Sequence, residues 1–188
     1  MPNAIAFADD GVMYISDSVS GSIWRSEWVG FEGWQTAEAW VTDPLLAGTG
    51  ALPFPFPVGA NGVAVDDGVV YAGVTEQGHI VGIPIGPEGA AGDPFVHLSP
   101  TGVAIDGIAI TDDGDFIVAD PPASTIWRIG NDGVPVVLAD AEDGISGPTS
   151  VYFETTSGGP TVYVANMAQA VIGELAQHPP SIVAIALD

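Results

Sequence analysis

One pattern recurs along this chain and leaves little choice of fold. From residue 106 to 129 a polar residue opens an apolar run (108–110), and Asp112-Asp113-Gly114 turns the chain into a second run (116–119). A short loop then leads to a third run (126–129). Three short strands joined by tight turns are what this pattern predicts. The same wording begins at Asn3: with no gap, Asp9-Asp10-Gly11 falls on Asp112-Asp113-Gly114, Asp17 on Asp120, and Ile23-Trp24-Arg25 on Ile126-Trp127-Arg128. It begins again, one residue shorter, at Asn61, and a weaker copy starts at Thr149.

A period of roughly 45 residues with three or four short strands in each copy is the signature of propeller blades. Each blade is marginal alone and buries its apolar faces against its neighbours. The expected fold is all-β, a β-propeller of about four four-stranded blades beginning near residues 3, 61, 106 and 149, read as a single domain over 1–188. The 25 glycines and 16 prolines are spread through the turns and mark no linker. A short helical turn is expected at 172–177, inside the loop of the last blade.

Charge excludes several functions. There are 24 acidic residues against two arginines, Arg25 and Arg128, and no lysine, for a net charge of −22. Binding to a phosphate backbone rests on Lys and Arg displacing counterions, so neither nucleic acid nor an anionic membrane surface is an expected partner. Such a surface attracts cations and stays soluble in strong salt. It suits a halophile cytoplasm or an acidic extracellular or periplasmic protein, and both localisations stay open. Cysteine is absent, which removes disulfides, thiolate metal sites and catalytic thiols. No apolar run reaches about 18 residues, so no transmembrane helix is expected. The start, Met1-Pro2-Asn3, enters a blade with no basic leader, so no signal peptide is expected.

Residues 27–60, between the first two copies, are longer than an outer strand and turn require. They carry Trp28, Phe31, Trp34, Trp40, Phe54 and Phe56, with Pro53, Pro55 and Pro57 at alternate positions. That proline spacing excludes a central strand and favours a stiff extended loop. Its aromatics either pack between blades or form a lid over a pocket.

Asn3, Asn61 and Asp106 occupy one slot, just before the innermost strand of three successive copies. Equivalent positions in a radial array converge on its axis, and oxygen-bearing side chains there suit a hard cation. Asp106, the charged member, could also act as a general base. The other reading of the slot is turn capping, a common use of Asn and Asp. Asp17 and Asp120 share a later slot at the end of the second strand, where the second copy has Val74. They either line the same mouth, against substrate, or cap turns. The Asp-Asp-Gly turns lack the rest of a calcium-loop spacing and are expected to be hairpin turns. His79, His97 and His178 have no metal-ligand spacing and are expected on the surface. No Gly-x-Ser-x-Gly elbow, phosphate-cradling loop or basic patch is present.

At these residues the chain resembles the gluconolactonase and regucalcin family of six-bladed propellers. The resemblance rests on Pro2-Asn3-Ala4-Ile5-Ala6-Phe7, Gly59-Ala60-Asn61-Gly62-Val63-Ala64, Asp106-Gly107-Ile108-Ala109 and Gly147-Pro148-Thr149-Ser150, and covers nearly the whole chain. It implies a divalent cation, calcium or zinc, held by a Glu of the first blade and by later Asn and Asp residues. Asn61 looks like the ligand Asn, Asp106 like the Asp that is both ligand and base, and Asn3 like the Asn that contacts substrate. The implied reaction is opening of a sugar or related lactone, a small-molecule substrate, by activated water. The family's first two blades and their ligand Glu have no counterpart here, and Thr149 stands where a further ligand could sit. A four-blade arc would expose two strand-rich flanks, so either missing N-terminal blades or self-association with a second copy is expected to complete it. Two other functions compete: a non-catalytic binding or scaffold propeller of the NHL kind, and a propeller enzyme of the strictosidine-synthase or lyase kind. The latter needs an axial Glu or His that the repeats do not offer.

Overall fold

The turns decide where each strand ends. Between β5 (Ala60–Asp66) and β6 (Val69–Val74), Asp67 and Gly68 adopt φ of 43° and 72°. This positive-φ pair matches the right-handed twist of the flanking strands and closes a two-residue hairpin. At the corresponding Asp9-Asp10-Gly11 turn, the Val12 N–H donates to Asp10 Oδ1 at 3.0 Å and Gly11 N–H to the Ala8 carbonyl at 2.9 Å. The Asp-Asp-Gly segments are thus hairpin turns.

The computed structural model describes residues 1–167 and 180–187. The helical turn expected at 172–177 and His178 lie outside the described residues. The chain divides into two compact units, Met1–Ser99 and Pro100–Asp188.

The first unit holds two four-stranded antiparallel meanders. One is β1 (Pro2–Phe7), β2 (Met13–Asp17), β3 (Ser22–Ser26) and β4 (Glu38–Thr42); the other is β5, β6, β7 (His79–Pro84) and β8 (Phe95–Leu98). Strand neighbours in space are neighbours in sequence, the topology of a propeller blade. The second unit repeats the plan with β9 (Ile108–Ile110), β10 (Phe116–Asp120), β11 (Thr125–Ile129) and β12 (Pro135–Ala139). Its second sheet, β13 (Pro148–Thr156), β14 (Gly159–Asn166) and β15 (Ser181–Ala186), is three-stranded among the described residues. The architecture is all-β, with four blades.

Each unit has its own apolar core. In the first, Tyr14, Ile23 and Leu46 meet Val63, Val70, Ala72, Val81 and Ile83 across the two sheets. In the second, Ala109, Ile117, Ala119 and Ile126 meet Val151, Val162 and Val164. Burying each large aliphatic side chain contributes about 1.5–3 kcal/mol. Ser16 and Ser18, both fully buried, stitch the first two blades together. Ser16 Oγ accepts from the Ala4 N–H at 3.0 Å and donates to the Asn61 carbonyl, and Ser18 Oγ donates to the Ala60 carbonyl at 2.8 Å.

The aromatic-rich segment divides between packing and exposure. Trp40 lies edge-on to Tyr14 at 4.9 Å and donates Nε1–H to the Gly89 carbonyl at 2.7 Å. Trp28, Phe31, Trp34 and Phe54 are exposed. The histidines differ from expectation: His79 is buried, with Nε2 2.9 Å from the Leu45 carbonyl, and His97 is half-buried beside Tyr71. His79 ends inside because it opens the central strand β7 and faces the strap at 44–47 instead of solvent.

Candidate functional site

The slot shared by Asn3, Asn61, Asp106 and Thr149 has a structural cause. Strand register slips between Pro2 and Ile5, between Ala60 and Val63, and between Pro148 and Ser150. Asn3, Asn61 and Thr149 therefore each sit in a β-bulge, a device that re-aims a side chain and ends regular pairing. Asp106 lies two residues ahead of β9, tied by its N–H to the Ala119 carbonyl at 3.0 Å, while Ala119 N–H returns to the Gly107 carbonyl at 2.9 Å.

In the first unit two of these slots use the same partner. Asn3 Nδ2 donates to Ser18 Oγ and Asn61 Nδ2 to Thr75 Oγ1, each at 3.0 Å. Ser18 follows Asp17 as Thr75 follows Val74, so the hydroxyls occupy equivalent positions. Asn3 is exposed, whereas Asn61 is buried. Asn61 Oδ1 is buried without a hydrogen-bond partner. A buried amide oxygen left unpaired costs about 1–3 kcal/mol. The atom lies near the start of β5 and is held in one orientation by the bond its own NH2 makes to Thr75.

Asp17 and Asp120 are held by loop amides. Asp17 Oδ1 accepts from Val19 N–H at 3.1 Å, Ser20 N–H at 2.9 Å and the Met1 ammonium at 2.6 Å. Burial pushes its pKa up, but these donors outweigh it and hold the carboxyl below its ordinary value. Asp120 accepts from Ala123 N–H at 3.2 Å, Ala104 N–H at 3.3 Å and Trp127 Nε1–H at 3.1 Å. Here burial dominates over the donors and raises the pKa. Asn166 fills the same slot in the last blade, pairing with Pro148 as Asp17 pairs with Pro2. It accepts from Ser146 N–H and donates to the Gly144 carbonyl and Ser181 Oγ.

Three residues of the site region escaped the sequence reading. Thr75 and Asn166 could have been found by extending the second run of the repeat one residue further. Glu76 could not, because its role is long-range. Its carboxylate accepts from the backbone N–H groups of Thr49, Gly50, Ala51 and Leu52 and from Thr49 Oγ1. Burial pushes its pKa up, yet backbone donors, Val58 first and then Gly50, Thr49 and Leu52, bring it below its ordinary value. The loop so gathered is pinched at its base. A Cβ on Gly59 would lie 2.2 Å from the Leu46 carbonyl, and one on Gly48 2.5 Å from Val58 N. Gly59 leads through Ala60 to Asn61, and Thr75 N–H donates to the Gly59 carbonyl at 3.2 Å. Glu76, the loop and the Asn61–Thr75 pair thus form one connected structure.

Among the described residues, no group of three or more His, Cys, Asp or Glu side chains is arranged to hold a metal ion. Both arginines are engaged: Arg25 Nη2 with Glu27 at 2.5 Å, and Arg128 Nε with Asp115 at 2.7 Å. No helix among the described residues is long and apolar enough to cross a membrane.

Comparison with known proteins supports the fold. No family model matches the chain, and no curated protein matches it. Solved structures do. A regucalcin from Agrobacterium tumefaciens strain C58, described as a calcium-binding protein, is 15% identical with a TM-score of 0.66, over 98% of this chain and 60% of the other. A gluconolactonase from Xanthomonas campestris is 14% identical with a TM-score of 0.61, over 88% and 54%. A nidogen/laminin complex gives 18% and 0.63, over 88% and 56%. The chain thus spans about half the length of the solved proteins it matches. At these identities the likeness is one of fold, and the gluconolactonase and regucalcin propellers anticipated from the motifs are among the structures that share it.

Proposed function

We propose that this chain carries out, or contributes the catalytic blades for, metal-dependent hydrolysis of a sugar lactone or related lactone. The observation that carries the reading is Asn61 Oδ1, buried, unpartnered and fixed by the Nδ2 bond to Thr75. The fold shared with a gluconolactonase and a calcium-binding regucalcin supports it.

A divalent cation, calcium or zinc, would when bound polarise a lactone carbonyl and acidify water. Its assigned ligands are Asn61 and Asp106, an assignment that rests on their shared place in the repeat. Asn61 fits by its chemistry, since a neutral amide oxygen is a good hard-cation donor and its free lone pairs are otherwise unused. Asp106 is also the base that takes the proton from the attacking water. Asn3, exposed and anchored to Ser18, would bond a substrate hydroxyl. Asp17 and Asp120 serve the substrate through the loops their carboxylates hold. The substrate is small and uncharged or cationic, because a net charge of −22 repels anions.

The test is lactone turnover by the chelator-stripped protein before and after return of calcium or zinc, with Asp106→Asn alongside. The expected result is activity that returns with the cation and falls at least about 100-fold in Asp106→Asn. No turnover of any lactone with either cation would overturn the reading.

A further inference from the structure

Residues 50–60 carry no polar side chain, in a protein of net charge −22. The segment is rooted at the end of the β5–β6 hairpin that holds Asn61 and Thr75. Pairing runs on past the start of β5: Thr75 N–H donates to the Gly59 carbonyl and Glu76 N–H to the Val58 carbonyl, each at 3.2 Å. The loop therefore joins the sheet two residues ahead of Asn61. Glu76, the residue after Thr75, holds its other limb through the amides of residues 49–52.

The loop is stiff, and most of its donors are absent or spent. Pro53, Pro55 and Pro57 fix φ and have no N–H. The N–H groups of Thr49, Gly50, Ala51 and Leu52 go to Glu76, and that of Phe54 goes to the Leu52 carbonyl at 2.8 Å. What the segment offers outward is carbon. Phe54 and Phe56 are stacked, with centroids 6.4 Å and planes 15° apart, and Phe54 is 44% exposed. A rigid aromatic pair binds apolar groups with little ordering cost, whereas a hydroxyl set against it would give up its water for no partner.

We propose that residues 50–60 form a substrate-facing wall of the Asn61 site and select lactones whose ring bears an alkyl or aryl substituent, with Phe54 the residue that decides the preference. The inference rests on the lactone reading and narrows its substrate class. In this arrangement the substituent lies on the Phe54 ring while the lactone carbonyl is turned toward Asn61. Substrate hydroxyls are left to Asn3. Glu76 is a positioning residue, because it touches no substrate and acts by gathering the first limb of the wall. The wall itself carries no charge, so an uncharged substituent meets it without the repulsion that the rest of this acidic surface presents to anions.

The experiment compares δ-decanolactone with δ-valerolactone, the same ring with and without a pentyl chain, on the wild type, Phe54→Ala and Phe54→Leu. Turnover is read with calcium and with zinc, and saturation-transfer NMR reads contact of the pentyl protons with the chelator-treated protein. The expected result is a kcat/KM at least about 10-fold higher for δ-decanolactone. That preference is lost in Phe54→Ala and largely kept in Phe54→Leu, and pentyl saturation follows the same order. Pentyl saturation that is absent from the wild type, or equal in Phe54→Ala, overturns the inference. So does turnover without the preference, or with one that Phe54→Ala leaves intact. Saturation that depends on Phe54, with neither lactone turned over, upholds the wall and overturns the lactone reading alone.

Discussion

Asn61 donates Nδ2–H to Thr75 Oγ1 at 3.0 Å, and the same amide keeps Oδ1 buried and unpartnered. One half of the side chain fixes the other in a place where it satisfies nothing within the protein. A group that costs stability and is held rigidly is the pattern expected of a residue kept for binding.

That arrangement predicts a trade between stability and binding. Asn61→Leu removes the unpaired oxygen and adds apolar volume, at the loss of one neutral hydrogen bond of about 1 kcal/mol. The cation-free variant should melt within a few degrees of the cation-free wild type. The rise in melting temperature expected of the wild type with calcium should be absent from the variant. Scanning calorimetry with and without chelator reads both.

Ser16 offers the contrasting case, a polar group that is fully used. Its hydroxyl serves the Ala4 N–H and the Asn61 carbonyl inside the core. Ser16→Ala leaves both without that partner and should cost about 1–3 kcal/mol, read as a lower urea midpoint at unchanged slope.

How much of this was legible follows from the kind of contact involved. The repeat revealed the hairpins, the blades and the slot of Asn3, Asn61 and Asp106, because turn chemistry and alternation are local. It did not reveal which members of a slot are bonded. Trp127 donates Nε1–H to Asp120 Oδ2 at 3.1 Å, whereas Trp24, in the same slot of the first blade, leaves Nε1 buried and unpartnered. Nor could spacing show that Glu76 reaches back over more than twenty residues to the 49–52 loop, or that His79 is buried against Leu45. Those are tertiary contacts between segments that carry no shared pattern.

Glu76 gives the chain a pH-dependent loop. Its folded pKa is depressed, so the carboxylate's contribution is present above the ordinary glutamate pKa of about 4.3 and is lost as pH falls through the lower, folded value. Hydrogen exchange should show the amides of residues 49–52 protected at about pH 5 and losing protection only on further acidification. In Glu76→Gln the amide oxygen can still accept but carries no charge, and the NH2 cannot accept from the Leu52 N–H, so protection should be weaker than in the wild type and should not change on acidification.

The base of the same loop depends on close backbone approach. Gly59→Ala would set a methyl 2.2 Å from the Leu46 carbonyl and 2.6 Å from Gly48 N. The pinch must open, with an expected loss of about 1–3 kcal/mol. Because Thr75 bonds Gly59, the variant should also weaken cation binding, which Ser16→Ala is not expected to do to the same degree. Thermal melts and calcium titration on the two variants separate these effects.

The most direct test of a cation-binding site is titration calorimetry with calcium and with zinc, in high salt to suppress diffuse attraction to the acidic surface, on the wild type and Asn61→Leu. A saturable heat of one ion per functional assembly in the wild type, absent from the variant, is the predicted result. Equal, weak and unsaturated heats in both would contradict it and leave Asn61 a residue of the bulge alone.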